Sequence, residues 1–191
     1  MKSVYHLESD KMKKNILILW LSILSLNSMA QIKKNSIYLE ALGNGVVYSL
    51  NYDRIIPISN QIKLVPRLGF EYIPRSNPSV YGKFNVPIEL NILYHQNNSN
   101  PNFAEAGLGL GLFSLFNDYK YSMVGDITEK TYKLAKVTTL RLGYRHQKPA
   151  GGLMYRAGIL VRLTQDEFSK SRVGDDLFYV IWPGFSIGYT F

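Results

Sequence analysis

Glu40, Asp53, Glu71, Glu89 and Glu105 share a pattern with Lys63, Arg67, Arg141, Arg145, Arg156 and Arg162. Each stands at an alternate position of a segment whose remaining residues switch between bulky apolar and small side chains. Carboxylates and guanidiniums on one face form strong, often bidentate ion pairs, and away from water they persist only when matched. The pattern therefore predicts that Glu40, Glu71, Glu89 and Glu105 interlock with Arg67, Arg141, Arg145 and Arg156 as a polar plug. The competing reading is that these charges line a water-filled lumen.

Other residues suited to chemistry lead less far. Gly107 to Gly111 reads GLGLG. A phosphate-cradling loop needs irregularly spaced glycines between a strand and a helix. Here the glycines share one strand face with no helical period after them, so they are read as space for neighbouring Arg side chains or Trp182. His95 and His146 fall at strand ends, with no serine and carboxylate that assemble into a triad, and are read as solvated rim residues. Asp126, Glu129, Asp166, Glu167, Asp175 and Asp176 lack the ordered spacing of a cation loop and are read as solvated loop charge. No catalytic, cofactor-binding or metal-binding residue is assigned, and the chain is read as a non-enzyme without a cofactor. It contains no cysteine, which excludes disulfides and thiolate metal sites.

The elements that position these side chains follow from a two-residue period. Eight strands are predicted: Ser36 to Leu42, Val46 to Ile55, Ile62 to Tyr72, Phe84 to His95, Phe103 to Phe113, Leu134 to Arg145, Gly152 to Leu163 and Leu177 to Phe191. Short turns at Pro57 to Gln61, Gln96 to Asn102 and Gln147 to Gly151 alternate with longer loops at Ile73 to Lys83, Ser114 to Lys133 and Thr164 to Asp176. Gly43-Asn44-Gly45 interrupts the alternation as a tight hairpin signal. The face opposite the charges is bulky and apolar, with Leu50, Leu68, Ile88, Leu90, Ile92, Leu108, Leu142 and Ile159 in its middle and aromatics toward its ends.

Two arguments place the charged face inside. Eight strands enclose a lumen only just wide enough to fill with side chains, and the apolar face is too bulky for it. Glycine, which weakens a strand and gains nothing on a wetted surface, is concentrated on the charged face. In hydrocarbon every peptide group must be paired, which a closed barrel achieves without helices. The expected fold class is therefore all-β, an eight-stranded antiparallel up-and-down transmembrane β-barrel over residues 31–191.

Residues 1–30 form a separate segment. Lys13 and Lys14, an apolar run from Ile16 to Leu26 and Ser28-Met29-Ala30 describe a secretory signal peptide cleaved before Gln31, with Met12 as the expected true start. Its apolar run is too short to span a bilayer. Removing it takes away four lysines and two acids, so the net charge falls from +8 to +6. No basic cluster that reads as a nucleic-acid or polybasic lipid patch remains along the sequence.

The strand count, the alternation of turns and loops, and an aromatic-alternating end at Tyr189 and Phe191 resemble the small eight-stranded outer-membrane barrels of the OmpA and OmpX type, in the form without an extra domain. That resemblance implies outer-membrane localisation and outer-membrane lipid as surroundings. It also implies that Tyr189 and Phe191 are an assembly signal read by the barrel-assembly machinery. The expected role is structural or surface-interacting, with an extracellular partner meeting the 114–133 loop, whose tyrosines suit a contact surface. A narrow channel for small solutes is the alternative. A lipid-modifying outer-membrane enzyme and a soluble lipocalin-like binder rank below it. Pro66, Pro87 and Pro183, which remove ladder donors, are expected to sit at bulges or register shifts. Lys136 on the lipid face is expected at a strand start, where its amine reaches the interface.

Overall fold

The computed structural model describes residues 33–45, 47–72, 81–97, 100–121, 127–165 and 180–191. The proposed signal peptide, the acids Asp126, Asp166, Glu167, Asp175 and Asp176, and the expected strand start at Leu177 lie outside them. Nine strand segments follow in chain order: β1 (Asn35–Leu42), β2 (Tyr48–Arg54), β3 (Ile56–Pro57), β4 (Ile62–Tyr72), β5 (Tyr81–Tyr94), β6 (Asn102–Tyr121), β7 (Ile127–Gln147), β8 (Gly152–Gln165) and β9 (Ile181–Thr190). β3 continues the line of β2 beyond Ile55, so the nine segments make eight staves.

All neighbours are antiparallel, and β1 pairs with both β2 and β9, which closes the ring. The fold is an all-β, closed, eight-stranded antiparallel barrel. Closure leaves no edge strand, so the ladder satisfies backbone groups all the way round. Lys33, Phe191 and the turns after β3, β5 and β7 gather at one end, the turn end. The last residues of β1, β4, β6 and β8 stand at the other, the loop end.

The two faces sort as alternation demands. Ser36, Tyr38 and Glu40 are buried while Ile37 and Leu39 are exposed, and the same contrast recurs on β2, β4, β5, β7 and β9. The barrel thus turns its mid-strand acids and arginines inward and a band of aliphatic side chains outward. Aromatics ring the apolar band at each end: Tyr52, Tyr94, Tyr144, Tyr155, Tyr189 and Phe191 at the turn end, Tyr48, Phe70, Tyr72, Phe84 and Tyr132 at the loop end. On β5 the rings stand at Phe84 and Tyr94. Ten residues of strand span roughly 33 Å, and a strand tilt of about 40° reduces that to roughly 25 Å along the axis, the height of an apolar bilayer band.

Four expectations require correction. The register runs unshifted through all three prolines. Each proline instead faces a gap in the ladder on one side: Pro66 lies opposite the break between β2 and β3, Pro87 opposite Gly69, where the β4–β5 pairing is interrupted while Gly69 and Phe70 still pair with β2, and Pro183 beyond the end of β1. A missing donor breaks one bond toward one neighbour without changing the count of residues. The bulges lie elsewhere, between Tyr81 and Asn85, Phe116 and Asp118, Lys120 and Tyr121, and Thr138 and Thr139.

Secondly, Ser114 to Lys133 is mostly strand, because β6 continues to Tyr121 and β7 begins at Ile127. Its Tyr, Thr and Ile favour extended pairing, while its polar residues suit a hairpin standing beyond the apolar band. Thirdly, Lys136 is not at a strand start; it is exposed, nine residues into β7, in register with Leu112 at the loop-end ring. Fourthly, β9 begins at Ile181, after a turn at Val180.

Candidate functional site

The site is the lumen, filled in layers from the turn end upward. The floor is apolar: Ile55, Val65, Leu93 and Phe103 pack together, buried. The Lys63 ammonium lies 5.3 Å from the centre of the Phe103 ring. The His95 ring meets the Phe103 ring at a tilt of 42° with centres 4.7 Å apart, and its Nε2 pairs with the Asn60 carbonyl. His95 is therefore buried, not a solvated rim residue, because it continues the inward parity of Asn91 and Leu93 on β5. His146 stays on the outer surface, stacked on Tyr155 at 4.6 Å and bonded to Asn102.

Above the floor, Arg145 donates from Nη1 and Nη2 to the two carboxylate oxygens of Asp53 at 2.7 and 2.9 Å, from Nε to Gln147 at 2.7 Å, and to Ser36. One layer higher, Arg156 grips Glu105 at 3.0 and 2.9 Å and donates to the Tyr38 hydroxyl at 2.9 Å. The guanidiniums of Arg67 and Arg156 both lie over the Tyr38 ring, each 5.6 Å from its centre. Stacking an aromatic face on two cations offsets part of their lost hydration.

The central layer is a four-way junction. Arg67 pairs with Glu40 and, at 2.8 Å, with Glu89. Arg141 reaches the same two carboxylates at 2.6 and 3.1 Å. Arg156 joins from below at 3.3 Å, so Glu89 accepts from three arginines. Asn51 accepts from Arg67 at 3.0 and 2.7 Å, and Ser186 on β9 donates to Glu40. Every stave contributes a side chain to this chain of contacts, and Arg67, Arg141, Arg145 and Arg156 balance Glu40, Asp53, Glu89 and Glu105 charge for charge. All eight are buried.

The top is the β1–β2 turn, folded inward. Leu42 and Gly43 adopt φ of 58° and 65°, the left-handed pair that a tight hairpin requires and that leucine rarely tolerates. The bend drops Asn44 into the lumen, where it donates to Glu89 at 2.5 Å and accepts from Thr139 at 2.9 Å. Asn85 donates to the Asn44 carbonyl at 2.7 Å, and Trp182 donates to the Gly43 carbonyl. Glu71 accepts the backbone N–H groups of Val47 and Tyr48 and a bond from Asn85. It holds the turn and is not an ion-pair partner of the four arginines.

The structure thus brings together seven of the eight residues expected in the network and adds Asp53, Tyr38, Asn51 and Asn44. Asp53 shared the inward parity but had no assigned partner; Asn44 was hidden because its turn was read as a surface hairpin. The glycines of GLGLG make room for different groups than expected. A Cβ at Gly107 would meet Asn91, one at Gly109 would meet Asn44 and Thr139, and one at Gly111 would meet Phe113. Among the described residues no cluster of His, Asp or Glu is arranged to hold a metal ion. Tyr189 and Phe191 point outward at the turn end, well exposed.

No family model and no curated protein matches the chain. Among solved structures, the crystal structure of the N-terminal β-barrel domain of Pseudomonas aeruginosa OprF is similar over 84% of this chain and 98% of that one, with a TM-score of 0.50 and 8% identity. The chain has the fold of that barrel. At such low identity the likeness lies in the path of the backbone. What the two barrels share is the eight-stranded fold.

Proposed function

We propose that this protein is an integral outer-membrane barrel with a sealed lumen, acting as a structural or surface-interacting element of the envelope and not as a catalyst or an open pore. The observation that carries this reading is the lumen itself: an apolar floor, four arginines paired with four buried carboxylates in the middle, and a turn folded inward above them. Buried ion pairs persist where each charge has several partners, as Glu89 has with three arginines and Asn44. The exposed aliphatic band between two aromatic rings supports lipid as the solvent of the outer face, since a monomer in water rarely exposes a contiguous apolar surface of that extent. The loop end, with the long β6–β7 hairpin, is then the side from which the protein meets partners.

Conductance separates this from the channel reading. The folded barrel inserted into a planar bilayer should add no steady ionic current at neutral pH. Sustained, voltage-independent openings that vanish on replacing Arg141 would establish a narrow channel instead.

A further inference from the structure

At the turn end the outward-facing residues of three staves run in one order. On β2 they are Leu50, Tyr52 and Arg54; on β7 they are Leu142, Tyr144, His146 and then Lys148 just past the strand; on β1 they are Leu39, Ile37, Asn35 and then Lys33. Apolar groups give way to a ring or an amide, and these give way to a cation. Two residues advance a strand by about 6.6 Å, so Arg54 stands one step beyond Tyr52, Lys148 two steps beyond Tyr144 and Lys33 one step beyond Asn35, all past the edge of the apolar band.

These cations are neighbours in space. Asn35 pairs with Arg54 across the β1–β2 ladder and accepts from the Tyr52 hydroxyl at 2.9 Å. The Lys33 amide donates to the Pro149 carbonyl in the turn that carries Lys148, at 2.9 Å. Lys34 is exposed beside them. Lys33, Lys34, Arg54 and Lys148 therefore form one patch along the sector from β7 through β9 to β2. Tyr189 and Phe191 lie beneath it on the apolar side.

Asp53, next to Arg54 on β2, points inward and is held by Arg145, so its carboxylate does not reach the patch. On the opposite sector of the same rim the described outward-facing residues are uncharged, and Lys63 lies over the Phe103 ring instead. Its turns form an open cleft of about 590 Å³ lined by Asn60, Gln61, Gln96, Asn97 and Asn100. The charge is thus placed on one side of the barrel, at one depth.

We propose that this patch is a binding site for the phosphate groups of anionic phospholipids in the leaflet that surrounds the turn end. Long cationic side chains reach from the edge of the apolar band to the phosphate level, and the tyrosines and Phe191 pack against the upper acyl chains as interfacial aromatics do. The selectivity is electrostatic and short in range. It gives the barrel a preferred lipid at its turn end and a fixed depth in that leaflet.

This inference rests on the membrane-spanning reading, and one experiment separates the two. The full chain is reconstituted in phosphatidylcholine vesicles containing a trace of spin-labelled phosphatidylglycerol or spin-labelled phosphatidylcholine, and the motionally restricted lipid fraction is measured for each. The expected result is a restricted fraction for both lipids, with phosphatidylglycerol favoured about fivefold at low salt. Replacing Lys34, Arg54 and Lys148 together by Gln should abolish the preference while keeping restricted lipid. Replacing the loop-end Lys133 and Lys136 by Gln should leave it intact. Restricted lipid without a phosphatidylglycerol preference, or a preference that follows the loop-end lysines, overturns the site and leaves the membrane reading standing. A complete lack of restricted lipid overturns both.

Discussion

Glu89→Ala should destabilise the barrel by about 3–5 kcal/mol, the largest loss available from one ionic side chain. The substitution leaves Arg67, Arg141 and Arg156 facing one another and strips Asn44 of its acceptor. Glu40 still binds Arg67 and Arg141, but a guanidinium surplus remains among side chains that are buried from solvent. The measurement is the temperature at which the compact form of the protein, which migrates fast on unboiled detergent gels, converts to the slow unfolded form. A marked fall is expected. Lys120→Ala, which removes an exposed pair with Glu129 at 2.6 Å, should cost no more than about 1 kcal/mol. Equal behaviour of the two variants would mean that the lumen ions are solvated and that the layered plug does not hold the barrel.

Gly188→Val acts at the seam that closes the ring and should have the larger effect. Gly188 on β9 pairs with Tyr38 on β1 and with Met154 on β8. A Cβ there would overlap the Ile37 carbonyl and Tyr38 Cβ and stand 2.5 Å from Tyr38 Cα. Those are backbone and near-backbone atoms, so the two strands would have to separate, breaking the one ladder that joins the first stave to the last. Overpacking of this kind costs about 1–3 kcal/mol where side chains can move, and more where the backbone is fixed. Gly107→Ala is the matched comparison, since its Cβ would press chiefly on the Asn91 side chain, which can rotate. The expected outcome is loss of the fast-migrating form for Gly188→Val and its retention for Gly107→Ala. Survival of the compact form in both would show that β1 and β9 tolerate a wider separation than the pairing implies.

Strand number, antiparallel order and the assignment of faces were legible because period-two alternation is a local property, repeated along each strand with only isolated prolines in the way. Glu40, Arg67, Glu89, Glu105, Arg141, Arg145 and Arg156 could be named for the same reason: parity alone sends each of them inward. Partnership was less legible. Asp53 meets Arg145 from 92 positions away, and only the tilt and stagger of the closed sheet decide which inward residues share a layer. Glu71 has the right parity but lies at the level of the β1–β2 turn, where backbone N–H groups take its oxygens. Asn44 could not be placed at all from a Gly-Asn-Gly triplet, since whether such a turn stands out or folds in depends on the space that Gly109 leaves across the lumen. The extensions of β6 and β7 were missed because their two faces are both polar, which removes the contrast that alternation relies on.

The choice of which face meets lipid underlies every other statement about the protein, and a tryptophan placed at Leu108 tests it most directly. Leu108 lies in the middle of the apolar band and is 56% exposed. Its added fluorescence, taken as the difference from the parent chain, is measured in vesicles of brominated phosphatidylcholine and again with iodide in the water. Strong quenching by the brominated lipid with little by iodide is the predicted result. Quenching by iodide and not by brominated lipid would place the leucines in water, removing lipid as the solvent of the outer face and with it the membrane-spanning account.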